Sequence, residues 1–270
     1  MGENPLQQIL TAQDMRITLV GAGNVAVCIS PALKSAGHSI AGVYSRTEVG
    51  ARTLADSLGT KAVTDLDELP EADVYLTMLR DDVLPSLAER IVRNRQNALF
   101  LHTSGSVPMS VWKDAGASHY GVLYPMQTFS RGKKIGWGSV PIFTEASGPS
   151  ELETVNALAG SLSGQVRELD SEKRGRMHLA AVFACNFTNR MYAISKRLLE
   201  ECGIPFDVML PLINETAEKV SGMAPEKAQT GPAVRGDERV LELHRRLLDG
   251  HPEWLRLYEL ISKDINRNLF

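Results

Sequence analysis

The sequence predicts an α/β domain with a doubly wound parallel sheet, followed by an all-helical domain. Between residues 16 and 169, short apolar runs of strand length alternate with helical segments, which is the pattern of a parallel sheet with helical crossovers. Beyond Ser171 no strand pattern recurs, and long helical segments continue to the end of the sequence. We therefore predict a frayed extension at 1–14, a sheet domain at 15–168 and a helical domain at 169–270.

The composition is that of an ordinary globular protein and argues against several classes of partner. The 270 residues are 43% hydrophobic and 23% charged, with a net charge of −3. No basic run stands out, so we expect neither a nucleic acid nor an anionic membrane as a partner. No segment has the length of a membrane span, and residues 1–14 lack the apolar core of a signal peptide.

The three cysteines, Cys28, Cys185 and Cys202, are widely spaced and lie in apolar helical stretches. An odd number of cysteines at such spacings favours reduced thiols over disulfides or a metal site. We therefore expect a cytoplasmic protein whose cysteines hold no metal.

The first predicted strand, 16–20, leads directly into a glycine turn and a helix. Gly21 permits the sharp turn, Gly23 leaves room for a pyrophosphate beside the backbone, and the small Ala26 lets helix and strand pack closely. The free N–H groups and the positive dipole end of the helix form an anion site without a basic side chain. The pattern predicts a dinucleotide-binding turn that consists of Gly21, Gly23, Asn24, Val25 and Ala26.

The residues after the second predicted strand, 39–45, indicate which dinucleotide is bound. A protein that prefers NAD carries an acidic residue there for the ribose 2′-hydroxyl, whereas this sequence has Ser45 and Arg46. A hydroxyl and a guanidinium suit a 2′-phosphate, so we predict NADP rather than NAD. The alternative is that Arg46 is a solvated arginine without a ligand.

Six further strands are predicted, and the loops after them contain most of the polar candidates. They span 61–64, 73–79, 98–101, 120–123, 140–143 and, at the sheet edge, 166–169. Ligands of such sheets bind beyond the carboxyl ends of the strands. We therefore add Leu79 and Ser104, which lie in two of these loops, to the predicted cofactor site.

Four polar residues in these loops are further candidates. His102 directly follows an apolar strand, and it is either a catalytic group near the nicotinamide or a satisfied core histidine; both interpretations stay open. For Ser106 we favour capping of the next helix over function. Tyr124 and Gln127 follow the next strand, where each could orient a substrate or pair with the backbone.

The helical domain begins with a long predicted helix, 171–202, that ends at Gly203. His178, Asn186 and Asn189 interrupt its otherwise apolar surface. A helix that is apolar nearly all round is expected to be buried, and buried amides need hydrogen-bond partners. These polar groups therefore either form a network between helices or bind substrate, and we favour a functional role for His178 and Asn186.

Two more long helices are predicted, at 206–221 and 252–266. Between them lies a turn-rich stretch in which Asp237 is predicted to cap the helix that follows it. Arg235, in the same stretch, could clamp an anionic substrate or a phosphate, or pair with Asp237, and both interpretations stay open.

Several motifs resemble those of known enzymes. The turn GAGNVA, the Ser-Arg after the second strand and the helical second domain resemble the superfamily of 6-phosphogluconate dehydrogenase, pyrroline-5-carboxylate reductase and the deazaflavin-dependent NADP oxidoreductases. A closer resemblance is to the bacterial Rossmann-like family that contains domain of unknown function 2520. It rests on HTSGS at 102–106, LYPMQTFS at 123–130, HLAAVFACNFTN at 178–189 and QTGPAVRGD at 229–237.

The resemblance implies a Rossmann domain, a helical domain like the C-terminal one of 6-phosphogluconate dehydrogenase and, together with the apolar helices, a homodimer formed through that domain. It supplies no reaction. The β-hydroxyacid dehydrogenases of the superfamily use a lysine four residues before an asparagine as general acid/base. If Asn186 is that asparagine, Val182 stands in the lysine position. His178 or His102 would then move the proton, unless the substrate is an imine that is already protonated.

These observations lead to two functional hypotheses. The first is an NADP-dependent oxidoreductase that transfers a hydride between NADP(H) and a small, anionic oxo or imino substrate held between the two domains. Its candidate catalytic residues are His102, His178 and Asn186, and its candidate substrate ligands are Tyr124, Gln127, Asn189 and Arg235. The alternative is an NADP(H)-binding sensor or regulatory module without turnover.

Overall fold

The computed structural model describes residues 14–269, so that, apart from Asp14, the predicted N-terminal extension lies outside the described residues. Eight strands form one sheet in the order β3-β2-β1-β4-β5-β6-β7-β8. The strands are β1 (Arg16–Val20), β2 (Ser39–Tyr44), β3 (Lys61–Val63), β4 (Val74–Thr77), β5 (Leu99–His102), β6 (His119–Pro125), β7 (Ile142–Ala146) and β8 (Val166–Glu168). Every predicted strand is therefore present, and the bounds differ by a few residues.

Helices alternate with the strands and then continue alone to the end of the described chain. Those within the sheet region are α1 (Asn24–Ser35), α2 (Glu48–Leu58), α3 (Leu84–Val92), α4 (Ser110–Asp114) and α5 (Pro149–Leu162). After β8 come α6 (Ser171–Ala181), a π-helical segment (Val182–Phe187), α7 (Thr188–Glu201), α8 (Leu210–Gly222), α9 (Pro225–Ala228), α10 (Pro232–Arg235), α11 (Glu238–Leu247) and α12 (Pro252–Ile265). The predicted fold class is confirmed.

The sheet has one antiparallel pair in an otherwise parallel arrangement. β1 lies between β2 and β4, which makes their carboxyl ends the switch point where ligands of such sheets bind. β6 and β7 are antiparallel, because residues 126–141, which join them, contain only the short 3₁₀ turn Trp137–Ser139 and no crossover helix. The predicted parallel sheet therefore needs this one correction.

Alternate residues of the central strands build two cores on opposite faces of the sheet. Ile17 and Leu19 belong to the core that includes α1, α2 and α5, whereas Tyr75 and Phe100 belong to the core that includes α3 and α4. In the second core the rings of Tyr75 and Phe100 stack at 5.4 Å, and the Trp112 ring lies 5.8 Å from that of Phe100. Both faces are covered, as a parallel sheet requires.

The chain divides into two compact units, 1–181 and 182–270. Helix α6 belongs to the unit that contains the sheet, although it follows the last strand. Arg174, near the start of α6, is 1% exposed, and its guanidinium bonds to Glu145 on β7 and, at 2.7 Å, to the Val107 carbonyl. This buried arginine fixes α6 to the sheet unit.

The long predicted helix forms, but it is not buried as the sequence predicts. Helical structure continues through α6, the π-helical segment and α7, and Gly203 follows with a φ of +70°. Phe183 is 63% exposed, and the side chains of Asn186 and Asn189 also lie at the surface of the chain. For the single chain the prediction of burial is wrong, because an apolar surface all round a helix leads to burial only where other elements cover it.

The unit 182–270 leaves many apolar side chains exposed. Its buried hydrophobic residues, among those described, are Ala233, Leu241, Leu248 and Leu269. Leu212, Leu247 and Leu260 are 63%, 67% and 69% exposed. The predicted cap of α11 is confirmed, since the Asp237 carboxylate accepts a hydrogen bond from the Val240 N–H at 3.3 Å. No helix within residues 14–269 is long and apolar enough to cross a membrane.

Candidate functional site

The glycine turn after β1 requires glycine at one position and leaves space at another. Gly21 has a φ of +126°, and a Cβ there would lie 2.5 Å from the Met78 carbonyl oxygen, so a larger residue would push β1 and β4 apart. A Cβ on Gly23 would meet nothing within 4 Å. Gly23 also precedes α1 without a side-chain cap, so the N–H groups of the first helical turn are open.

These features fit the diphosphate of a dinucleotide. The open side of Gly23 and the uncapped N-terminus of the 12-residue helix α1 give an anion both room and hydrogen-bond donors. Val25 is half-buried, and Ala26 is fully buried beneath the turn. The exposed Asn24 donates from its amide to the Phe129 carbonyl at 3.1 Å.

The end of β2 places Ser45 and Arg46 at the same edge of the sheet. β1 and β2 run in parallel with Val20 opposite Tyr44, so the residues after both strands lie side by side. Thr47 caps α2 by accepting from the Gly50 N–H at 3.3 Å. The Arg46 side chain is exposed and makes no ion pair with any residue between 14 and 269. An arginine held beside a capped helix N-terminus, with its charge uncompensated, fits the 2′-phosphate of NADP.

His102 is the last residue of β5 and lies in the core rather than in an open pocket. It is 1% exposed, its ring lies 6.2 Å from that of Trp112, and its Nδ1 accepts from the Ser104 N–H at 3.2 Å. Burial, together with the positive charge of the nearby Arg174, lowers the pKa of His102 to about 3. The imidazole is therefore neutral at physiological pH.

The two serines of the HTSGS loop organise the loop itself. The Ser104 hydroxyl accepts from the N–H groups of Ser106 and Val107 at 3.1 and 3.0 Å. The Ser106 hydroxyl donates to the Asp81 carboxylate in the loop after β4. Helix α4 begins only at Ser110, so the prediction that Ser106 caps it is wrong. The serine instead joins two neighbouring loops at the carboxyl edge of the sheet.

Tyr124 and His178 form a hydrogen-bonded pair within the sheet unit. The Tyr124 hydroxyl lies 3.1 Å from His178 Nδ1, and the two rings meet edge to face at 6.0 Å. A Cβ on Gly105 would lie 2.6 Å from His178 Cγ, so the HTSGS loop and the imidazole approach as closely as glycine allows. Burial raises the pKa of the Tyr124 phenol, and the negative charge of Asp81 raises it further.

The buried arginine described above also positions this pair. Arg174 and His178 are four residues apart and therefore lie on the same face of α6. The Ser171 hydroxyl donates to Glu145 at 2.7 Å and accepts from the Met109 N–H at 2.9 Å. Ser171 and Arg174 together fix α6 to β7 and to the segment after the HTSGS loop, so the place of His178 is set by several independent contacts.

The other predicted site residues lie apart from this pair or belong to the other unit. Leu79 is half-buried beside the second core. The Gln127 side chain accepts from the Thr128 N–H at 2.8 Å, which agrees with the backbone-pairing alternative. Asn186, Asn189 and Arg235 belong to the unit 182–270, and their predicted functional roles stay predictions. Arg235 is exposed and makes no ion pair with Asp237 or with another described residue.

Sequence reasoning missed three residues that shape the site: Asp81, Gly105 and Arg174. In the sequence, Asp81 has the position of an acidic residue at the start of a helix, and Arg174 is one of several charged residues in a polar helical turn. Their partners, Ser106 and Glu145, are 25 and 29 residues away in the chain. No local pattern signals such a pair. Among the described residues there is no group of three or more His, Cys, Asp or Glu side chains that could hold a metal ion.

Comparisons with known proteins place the chain in a family. A family described as a domain of unknown function (DUF2520) matches residues 140–265, and one described as NADP oxidoreductase, coenzyme F420-dependent, matches residues 16–104. A comparison with functionally curated proteins finds no match. A candidate NADP oxidoreductase from Bacteroides fragilis is 47% identical, over 95% of this chain and 100% of that chain, with a TM-score of 0.91.

More distant solved structures share the fold. A protein from Thermotoga maritima is 26% identical, over 93% of this chain and 98% of that chain, with a TM-score of 0.78. A reductive aminase from Aspergillus terreus in complex with NADPH is 16% identical, over 94% and 93% of the two chains, with a TM-score of 0.69. The predicted resemblance is confirmed by two findings. The two family matches together cover both parts of the chain, and one relative is nearly half identical over its whole length. The chain belongs to the DUF2520 family of NADP-oxidoreductase-like proteins.

Proposed function

We propose that this protein transfers a hydride between NADP(H) and a small, anionic oxo or imino compound, and that Tyr124 and His178 move the accompanying proton. NADP is the cofactor that the family indicates, and the glycine turn and Arg46 fit it. When bound, NADPH supplies the hydride. The single observation that carries the rest is the Tyr124–His178 hydrogen bond of 3.1 Å, at the carboxyl edge of the sheet.

Reduction of a C=O or C=N bond needs one proton for each hydride, and the Tyr124 phenol is suited to donate it. Its raised pKa keeps the hydroxyl protonated at neutral pH. If His178 donates from Nδ1–H to the phenol oxygen, the phenol proton is free to point at a substrate. After transfer, His178 passes its Nδ1 proton to the tyrosinate while its Nε2 takes up a proton from water, so that both groups return to their starting charge states. The histidine thus acts as the link between the phenol and water.

His102 is less suited to this task. A general acid must hold its labile proton at the working pH, and with a pKa of about 3 the charged, proton-donating form of His102 is not populated at neutral pH. Its Nδ1 is also engaged by the Ser104 N–H. We therefore assign His102 to the support of the HTSGS loop, and proton transfer to Tyr124 and His178.

Substitution of the pair tests the proposal. The assay is NADPH oxidation with a panel of 2-oxo acids and cyclic imines, and a substrate that the wild type reduces is then used for the variants. Tyr124→Phe and His178→Ala should each lower kcat by about 100-fold or more, with an unchanged dissociation constant for NADPH. His119→Ala is the matched control, because His119 is also a half-buried histidine of the sheet unit, paired with Glu151 at 2.7 Å.

Two results would contradict the proposal. Equal activity of Tyr124→Phe and the wild type would remove the phenol from proton transfer. Tight NADPH binding without turnover of any substrate in a broad panel would favour the sensor hypothesis, which predicts that NADPH changes the oligomeric state or the affinity for a partner protein.

We also propose a cytoplasmic homodimer that forms through the helical unit. The three cysteines are free thiols, which agrees with a reducing compartment. The exposed apolar side chains of residues 182–270 support an interface. Light scattering coupled to size exclusion should give about twice the chain mass of 29.5 kDa, and a monomeric mass at micromolar concentration would contradict the dimer.

A further inference from the structure

The segment 126–138, which we call the strap, lies on the glycine turn although it belongs to a distant strand connection. It follows β6, and β4 and β5 separate β6 from β1 in the sheet. Even so, the Phe129 carbonyl accepts from the Asn24 amide at 3.1 Å, and the Ser130 carbonyl accepts from the Cys28 thiol at 3.7 Å. The backbone of the strap is therefore attached to the first turns of α1.

One side chain of the strap reaches the turn itself. Arg131 Nη2 donates to the Ala22 carbonyl oxygen at 3.2 Å, and Ala22 is the residue between the two glycines. Within the strap, the rings of Phe129 and Trp137 stack with their centroids 5.8 Å apart, which brings its two ends together. A guanidinium is thus held at the place where Gly23 and the N-terminus of α1 leave an open anion site.

The strap is strongly cationic. It contains three cationic residues, Arg131, Lys133 and Lys134, and no Asp or Glu, in a chain whose net charge is −3. All three side chains are exposed, and none of them forms an ion pair with a residue between 14 and 269. A cluster of uncompensated cations beside an anion site attracts a polyanionic ligand.

We propose that Arg131 is a ligand of the cofactor diphosphate and that the strap is the second wall of that site. A guanidinium binds phosphate oxygens more strongly than a neutral carbonyl, because both partners are charged and two N–H groups can donate together. Arg131 therefore exchanges the Ala22 carbonyl for a phosphate oxygen when the dinucleotide binds. The inference rests on the proposed function only in taking NADP as the cofactor, and it gives Arg131 a role distinct from that of Arg46.

The two arginines can be separated by measuring dissociation constants for NADPH and for NADH. Both dinucleotides contain the diphosphate, and only NADPH has the 2′-phosphate. Arg131→Ala should weaken the binding of both by the same factor, about tenfold. Arg46→Ala should weaken NADPH and leave NADH unchanged. Lys134→Ala is the matched control, because it removes an exposed cation of the strap that does not contact the turn, and it should change either constant less than about twofold.

The outcomes distinguish this inference from the proposed function. If the wild type binds neither dinucleotide, the proposed function fails. If the wild type binds NADPH, the inference alone is overturned by unchanged binding in Arg131→Ala, by an effect no larger than that of Lys134→Ala, or by an effect confined to NADPH. Circular dichroism of the free variants checks folding, which should be preserved because the Arg131 side chain is exposed.

Proteolysis gives a second readout that does not depend on affinity. At saturating NADPH, trypsin should cleave the wild type after Lys133 and Lys134 several times more slowly than it cleaves the free protein, because the strap is then attached to the ligand through Arg131. In Arg131→Ala, saturated with NADPH at a higher concentration, this protection should be lost. Equal protection in the wild type and the variant would overturn the role of Arg131 in holding the strap.

Discussion

The two compact units differ in how completely each buries its own apolar side chains. In the sheet unit Ile17, Leu19 and Phe100 are fully buried, and helices cover both faces of the sheet. In the helical unit Phe183 and Leu260 remain 63% and 69% exposed. The sheet unit thus has a complete core within one chain, whereas the stability of the helical unit depends on what covers its apolar surface.

Polar groups show the same contrast. The sheet unit buries Arg174 and His102, and its own strands and loops supply partners for the two terminal nitrogens of Arg174 and for Nδ1 of His102. In the helical unit the candidate side chains Asn186 and Arg235 lie at the surface. Buried polar side chains, among the described residues, are therefore concentrated in the sheet unit.

The largest expected effect concerns one phenylalanine from each unit. Phe100→Ala should lower the free energy of unfolding by about 4 kcal/mol, because it opens a cavity between Tyr75 and Trp112. The loss should not depend on protein concentration. Phe183→Ala should cost less than about 1 kcal/mol in the dissociated protein, and should lower stability further only at concentrations where chains associate. Urea unfolding followed by far-ultraviolet circular dichroism, at two protein concentrations, measures both.

The contrast between the units would break down if Phe183→Ala cost as much as Phe100→Ala in dilute protein. Such a result would mean that the exposed phenylalanine contributes to a core within the single chain.

A somewhat smaller effect is expected from the buried ion pair. Arg174→Met should lower the free energy of unfolding by about 3 kcal/mol, because it leaves the Glu145 carboxylate, 16% exposed, without its main partner. The double variant Arg174→Met, Glu145→Gln should recover part of the loss, since it removes the unpaired charge. Arg176→Met is the control, because the Arg176–Glu172 pair on the same helix is exposed, and it should change stability by less than about 1 kcal/mol.

The same variant also tests the positioning of His178. If Arg174 holds α6 in place, Arg174→Met should lower kcat while the dissociation constant for NADPH stays the same, because the glycine turn is untouched. A double-mutant cycle without coupling between Arg174 and Glu145 would contradict the assignment of this pair as the anchor of α6.

Most of the fold could be predicted from the sequence because its signals are local. The patterns that predict the strands, the glycine turn and the cap at Asp237 each depend on residues a few positions apart. The antiparallel β7 could not be predicted, because strand direction depends on the path of a connection without a helix. The burial of the long helix was predicted wrongly for a related reason, since periodicity shows which side chains are apolar and not what covers them.

The candidate site was predictable only in part. The sequence places Tyr124 and His178 in suitable elements, but it gives no sign that they meet, because 54 residues separate them. Ser106 has the residue type and position of a cap, yet its hydroxyl has a stronger partner in the Asp81 carboxylate. At His102 and Gln127, a polar side chain at or just after the end of a strand accepts a hydrogen bond from a backbone N–H of its own loop. The residue type alone does not distinguish this structural role from a role in binding substrate.

The smallest of these effects concerns His102, and it makes the sheet unit sensitive to acid. The pKa of His102 is about 3 in the folded protein, and an unfolded histidine titrates near pH 6.5. Between these values the unfolded chain binds more protons than the folded chain, so stability is fully present above about pH 6.5 and is lost as the pH falls toward 3. From pH 7 to pH 5 this one group should cost about 2 kcal/mol. His102→Asn should show a smaller loss over that interval in urea unfolding. An equal pH dependence in His102→Asn and the wild type would mean that His102 takes up its proton in the folded state, which would reopen its candidacy as the proton donor beside the nicotinamide.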